Sequence, residues 1–363
     1  MNATTVAVDL AKNVFQLAIA DEHHRIVATK RLNRSQFERF FHNREVGKIV
    51  MEACGSAHYW GRRLAAQGHS VRLLPPQYVR PYVRRNKHDA ADTAGMLEAN
   101  RAHDICSVPI KSVEQQSLQG LHRVRQQWVA TRTARINALR GICREFGIDV
   151  PVGARRGLEH IAGVLRDPQS SVGALIRPTL VELVLEIKQL EDRIDRLEHD
   201  LGRLARQSSA CQDLMSVPGV GLITATAMVA ATAGSVSHFS SARHFASWLG
   251  LTPREHSSGN RQRLGRISKR GDKYLRMLLV HGARAVLRSA TLRTNKGQQP
   301  GPIGHWGQNI QRRGAHANKA GCAVANKLAR VCFAVLRDQQ PYREHHAELS
   351  TPITNTQHPV LAH

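Results

Sequence analysis

Residues 4–10 (TTVAVDL) alternate apolar and polar positions, the two-residue period of a half-buried strand. Two further runs, NVFQLAIAD and RIVATKRL, read the same way, joined by short turns containing Asn13 and Asp21 to His24. A polar helix over 34–43, a strand GKIVMEA over 47–53, a helix from about 56 to 67 and a strand SVRLL over 70–74 follow. Pro75 and Pro76 end that strand and open a short helical stretch at 77–84, after which NKHDAADTAGML starts another helix. Three strands followed by alternating helices and strands predict a mixed sheet with helices on both faces.

Beyond this first domain, residues 1–110, the period changes to that of helices. Residues 112 to about 145 read as one long helix, which between Gln115 and Arg144 carries Arg123, Arg125, Arg132, Arg135, Arg140 and Arg144 and no acid. Leu180, Leu183, Ile187, Leu190, Ile194, Leu197, Leu201 and Leu204 follow alternating spacings of three and four, an a/d seam with charged flanks. Another chain or another helix of the same chain must cover that seam; residues 111–208 are predicted as a basic helix followed by a coiled coil that joins chains. Residues 209–338 form a mostly helical unit, in which LMSVPGVGLITATAMVAAT places Gly219 and Gly221 between two apolar helices. Such a turn either aims backbone N–H groups at a phosphate, as a helix-hairpin-helix does, or is a plain tight turn. The polar end, 339–363, is predicted to be a disordered tail.

Composition narrows the partners. Lys and Arg number 52 against 28 Asp and Glu, a formal charge of +24 over 363 residues. Such an imbalance repels itself unless a polyanion offsets it, which points to nucleic acid. A membrane surface is a poorer match, because the chain has neither a basic amphipathic helix of that type nor an apolar run of spanning length. None of the six cysteines forms a C-x-x-C, so the sequence predicts reduced thiols in a cytoplasmic protein rather than a zinc site or disulfides. The first residues do not read as a signal peptide.

Against this basic background the acids stand out. Asp89 and Asp92 lie one turn apart at a helix start, where a cap would explain them. Asp9 and Glu52, however, end apolar strands, where an acid is costly unless it faces solvent, a partner or a metal. Four carboxylates at one sheet edge would repel each other. Two Mg²⁺ ions would resolve that, as hard cations that take oxygen ligands and clamp the attacking and leaving oxygens of a phosphoryl displacement.

Residues 249–277 (LGLTPREHSSGNRQRLGRISKRGDKYLRM) surround Ser257-Ser258-Gly259 with Arg254, Arg261, Arg263, Arg266, Lys269 and Arg270. This is a turn on a nucleic-acid-facing surface, or a serine nucleophile whose transition-state charge the arginines would stabilise. The arginines are local; no base is, so the base or metal would come from the four acids.

Taken together, VAVDLAKNVFQLAI, VMEACGSAHYW, NKHDAADTAGMLEA, SVPGVGLITA, FASWLGLTPREHSSGNRQRLGRISKRGDKYLRMLL and ANKLARVCFAVL resemble the DEDD insertion-sequence transposases related to the Piv DNA invertase, regarded as bridge-RNA-guided recombinases. The resemblance implies a RuvC-like, RNase H-type first domain with Asp9, Glu52, Asp89 and Asp92 as metal ligands for Mg²⁺, with Mn²⁺ able to substitute. It implies a C-terminal transposase domain in which Ser258, the serine before the glycine, forms a 5′-phosphoserine link to DNA. It further implies a structured guide RNA, dimers or tetramers, and a nucleoid-associated bacterial protein. The nucleic-acid ligands expected are Arg123, Arg125, Arg132, Arg135, Gly219, Gly221, Arg254, Arg261, Arg263, Lys269 and Arg270. Two readings compete: a RuvC-like nuclease without a covalent serine, and a packaging protein whose acids are only caps.

Overall fold

The computed structural model describes residues 5–42, 44–83, 89–259 and 261–343. Strands β1 (Thr5–Leu10), β2 (Val14–Ala20) and β3 (Ile26–Asn33) form an antiparallel meander. Helix α1 (Arg34–Phe40) then starts on a capping box, with Asn33 Oδ1 accepting from Gln36 N and Gln36 Oε1 accepting from Asn33 N. Strand β4 (Lys48–Glu52) pairs parallel with β1, helix α2 (Ala57–Ala66) crosses over, and β5 (Val71–Leu74) pairs parallel with β4. The sheet order is β3-β2-β1-β4-β5. Pro75 and Pro76 stop β5 as the sequence predicts. The stretch after them is helix α3 (Pro76–Val79) and a single tighter turn, followed by α4 (Asp89–Arg101).

Strand alternation sorts the side chains into two layers. Val6, Val8, Phe15, Leu17, Ile49 and Met51 face α1 and α2, where Phe15, Phe37 and Trp60 stack and meet edge to face. Ala7, Ala18 and Val50 face α4, which buries Met96 and Ala99. Small residues on that side let α4 lie close, and Gly95 lets it approach the preceding turn, since a Cβ there would sit 2.9 Å from Val83 Cγ2. This mixed sheet is compatible with the RNase H-like arrangement expected.

Helix α5 (Val113–Glu145) begins with a second capping box, Ser112 with Gln115. It is pinned to the sheet domain: Arg62 Nη1 donates to Lys111 O (2.6 Å) and Lys111 N donates to His58 Nδ1 (3.2 Å). Helix α6 (Ala154–Arg166), which the sequence reading passes over, packs Leu158, Ile161 and Leu165 between α5 and α7 (Arg177–Arg206). The heptad seam expected to join chains is covered within the chain. Leu190 and Leu197 are only 5 % and 6 % exposed, and α7 lies against α5, α6 and the helices that follow. An antiparallel hairpin satisfies the same a/d spacing as a coiled coil between chains, so the seam carries no argument for an oligomer.

The C-terminal unit comprises α8 (Ser209–Met215), α9 (Leu222–Thr232), α10 (Ala242–Trp248), the hairpin β6 (Pro253–Glu255) and β7 (Leu264–Ile267), α11 (Lys273–Asn295), α12 (Pro302–Arg312) and α13 (Ala317–Asp338). Helix α13 is apolar on most sides, as a central helix must be, and α8, α10, α11 and α12 pack on it. Of the tail expected from 339, the first residues are docked: Tyr342 packs on this core and its N–H donates to Ser216 Oγ (2.7 Å). The remainder, 344–363, lies outside the described residues. All six cysteines are free, and among the described residues no helix is long and apolar enough to cross a membrane.

His122, 3 % exposed, joins the two halves of the chain. Thr226 Oγ1 donates to Leu222 O (2.7 Å), so it accepts from His122 Nε2 (3.0 Å), which leaves His122 Nδ1 to accept from Tyr274 Oη (3.2 Å). Burial, with Arg125 nearby, lowers the His122 pKa to about 4. An unfolded chain takes up this proton near pH 6.5 and the folded one only near pH 4, so stability is lost as pH falls through that window. The loss expected is on the order of 3 kcal/mol. Denaturant melts at pH 7.5 and pH 4.5 check it: His122→Gln is less stable at pH 7.5 but shows a shallower acid dependence than the parent.

Candidate active site

Register and alternation together decide where the acids lie. Strands β1 and β4 run in parallel with Val8 opposite Met51, so the next residues along each, Asp9 and Glu52, end neighbouring strands side by side. Asp9 shares its sheet face with Ala7, and Glu52 shares its face with Val50. Both therefore emerge on the face that α4 covers. Asp92, half-buried, lies on α4 one and two turns before Met96 and Ala99, on the face turned to the sheet. The Cys54 thiol feels the first two acids: burial, then Glu52, then Asp9 push its pKa up.

The structure thus brings Asp9 and Glu52 together under the helix that carries Asp92. Asp89 is the first residue of α4, and its side chain lies outside the described residues. Among the described residues, no three His, Cys, Asp or Glu side chains gather closely enough to hold a metal ion. The donor set is all oxygen and suits a hard divalent cation. Asp9 and Glu52 place two such oxygen donors on one face, with Asp92 on the helix that covers it.

The serine segment is the turn of the β6–β7 hairpin, with every residue from Pro253 to Gly259 exposed. Its base is pinched shut. A Cβ on Gly250 would strike the Arg270 backbone, and one on Gly271 would strike the Trp248 carbonyl oxygen. At the tip, Ser258 and Arg261 exchange backbone hydrogen bonds. Ser257 Oγ donates to Glu255 Oε1 (2.6 Å) and accepts from Arg263 N (3.0 Å). This corrects the reading that no base is local: a carboxylate stands two residues from Ser257, and the E-x-S spacing across a strand end was its signal. Arg254, Arg261, Arg263, Lys269 and Arg270 are all exposed on this arm.

Two other expected ligand sets change meaning. The arginines of α5, expected among the nucleic-acid ligands, meet counter-charges on α7. Arg125 Nη2 pairs with Glu198 (2.6 Å), Arg132 with Glu191 (3.9 Å) and Arg135 with Glu186 (2.9 Å). The order is reversed along the two helices, as an antiparallel hairpin requires; that reversal was legible but unused. Arg123 lines a cleft. Gly219, at φ +85°, is held against α11, where a Cβ would sit 2.7 Å from Val286 Cγ2 and 2.8 Å from Gly282 O. Close packing accounts for that glycine. Gly221 is exposed at the start of α9, with open space around it.

Known proteins match this chain in sequence. A family model for a DEDD transposase matches residues 6–147, and a second, described as "Transposase IS116/IS110/IS902 family", matches residues 211–297. A probable family 20 transposase of Pseudomonas aeruginosa is 43 % identical over 347 residues, covering 94 % of this chain and 99 % of that protein. The chain belongs to the IS110/IS116 transposase family. The transposase for insertion sequence element IS1111A of Coxiella burnetii is 38 % identical to this transposase, over 93 % and 91 % of the two chains. The pilin gene-inverting protein of Moraxella bovis is 24 % identical over 94 % and 98 %, which supports the relation to Piv. In this transposase Asp9, Glu52, Asp89 and Asp92 fall within the first matched region, and Ser257 and Ser258 within the second. The protein is thus a DNA transposase of an insertion sequence, with DNA as its substrate.

Proposed function

We propose that this transposase cuts and rejoins DNA through a serine–DNA link, using acids of a RuvC-like domain and guided by a structured RNA from its own element. The side-by-side placement of Asp9 and Glu52 beneath α4 carries the reading. It is what a divalent-metal site for phosphoryl transfer requires where neighbouring strands end. When bound there, a pair of Mg²⁺ ions, or Mn²⁺ in their place, would neutralise the carboxylates and polarise the phosphodiester. Asp9, Glu52, Asp89 and Asp92 would hold them.

Ser258 Oγ attacks phosphorus; the O–P bond to serine forms, the bond from phosphorus to the 3′ oxygen breaks, and a free 3′ hydroxyl leaves. The hydroxyl proton of the serine passes to water or a carboxylate, and the leaving 3′ oxygen takes a proton from water. Arginines of the arm stabilise the phosphorane-like charge. Ser258 is the nucleophile by its place before Gly259, as the family resemblance implies, and Ser257, held between Glu255 and Arg263, shapes the tip. The exposed arm suits delivery of Ser258 to the acids of another copy in a dimer or tetramer. Base pairing by RNA would supply the sequence choice, and exposed arginines would hold backbones without reading bases. The setting is the bacterial cytoplasm, with the element's DNA at hand.

The test is a denaturing gel of the protein mixed with its element's end DNA and copurified RNA. The parent and Ser257→Ala yield a covalent adduct, the latter reduced about tenfold or less, while Ser258→Ala yields none. An adduct that survives Ser258→Ala and vanishes in Ser257→Ala would transfer the role to Ser257. Cleavage with no adduct in any protein would favour the nuclease reading.

A further inference from the structure

One cleft takes its walls from both halves of the chain. Cys54 and His58, after β4, and Pro75, after β5, form one side; Trp248 and Asp272, at the base of the serine hairpin, form the other. Its volume is about 480 Å³. It lies beyond the carboxyl ends of two parallel strands, where open α/β sheets bind their ligands.

Lys111 sets its chemistry. It lines this cleft yet is only 6 % exposed. An ammonium group has three donors, and the hydrogen bond its Nζ makes among the described residues goes to the neutral Gln119 Oε1 (3.1 Å). None of the ion pairs among the described residues involves it. The one wall carboxylate, Asp272, already accepts from Leu275 N (2.9 Å) as the cap of α11. Arg123 adds a second cation to the wall, and His58, its pKa lowered to about 4 by burial and by Lys111 and Arg62, adds no charge at neutral pH. Burial, then Arg123, hold the Lys111 pKa down, and Asp272, which forms no ion pair with it among the described residues, only partly offsets them, so two cations against one capping carboxylate leave the cleft suited to an anion. Trp248 supplies an aromatic wall beside the cations, the pairing that single-strand sites use for a phosphate and its base.

We propose that this cleft binds a backbone phosphate of a single nucleic-acid strand, with Lys111 and Arg123 as its ligands and Trp248 beside the adjoining base. The strand then passes between the acid-bearing sheet edge and the root of the serine arm. The proposal rests on the protein acting on nucleic acid, and on neither the serine chemistry nor the metal.

The experiment is fluorescence anisotropy of the full chain with short oligothymidine and oligouridine over a series of salt concentrations. Lys111→Met and Arg123→Gln each weaken binding roughly five- to tenfold and lower the salt slope by about 0.7, the value for one lost single-strand phosphate contact. Arg123 is exposed, so its variant keeps the test independent of whether the buried Lys111→Met folds. A methylphosphonate strand, which lacks the charge, is bound alike by parent and variants. Loss with oligothymidine alone assigns the strand as DNA, and loss with oligouridine alone assigns it as RNA. Equal affinities and slopes for parent and both variants overturn the cleft while leaving the transposase reading intact. An equal loss in Arg155→Gln, an exposed arginine outside the cleft, overturns it too, since only general attraction would remain. A parent that binds neither strand overturns the cleft as a single-strand site.

Discussion

Asp9→Asn and Glu52→Gln, each alone, are expected to reduce strand cleavage of element DNA at least about 10³-fold while leaving the fold and nucleic-acid binding in place. The expectation comes from geometry. The two carboxylates end adjacent parallel strands on the face beneath α4, so each supplies one of the four oxygen donors proposed. Losing either removes one of the two that lie side by side and weakens the site for a hard cation. Both residues are only half-buried at the ends of their strands, and the replacements keep their size, so the fold is kept. Cleavage gels in Mg²⁺, with circular dichroism and a binding titration on the same samples, check the result. Near-parental cleavage by either variant would remove the pair from the chemistry.

The second large effect concerns the root of the serine arm. Gly271→Ala is expected to destabilise the C-terminal unit by roughly 3 kcal/mol or more. This combines overpacking of about 1–3 kcal/mol with about 1–2 kcal/mol for a side chain at positive φ. Gly271 sits at φ +105° with the Trp248 carbonyl oxygen where the Cβ would go. Gly259→Ala is the contrast: its φ is +54°, but nothing lies within 4 Å, so only the backbone cost of about 1–2 kcal/mol applies. Thermal melts of the two variants side by side separate crowding from backbone strain; equal losses would mean that the pinch contributes nothing.

The first domain was legible almost element by element, because strand alternation and proline stops are local signals. Its acids were legible for a related reason. A carboxylate at the end of an apolar run is improbable unless something there requires it, and Asp9 and Glu52 met side by side once the register was known. The α5–α7 region shows where local reading stops. Leu190 and Leu197 obey a heptad rule that does not say whether the covering helix belongs to the same chain, and the arginines of α5 look unpaired until Glu186, Glu191 and Glu198 are folded back on them. The Lys111 cleft was not legible at all. Its walls are drawn from residues more than two hundred positions apart, and a lysine before a capping serine carries no sign that it will be buried.

The hairpin that bears Ser257 and Ser258 is exposed along nearly its whole length and springs from a base closed by two glycines. A lone pair of strands is barely stable in water, so its aim comes from whatever it is laid upon. If Ser258 reacts as proposed, its alignment draws on the energy of docking rather than on the fold. A solitary copy meeting stray DNA would then be armed but unaimed, which for an enzyme that breaks chromosomes is a built-in restraint.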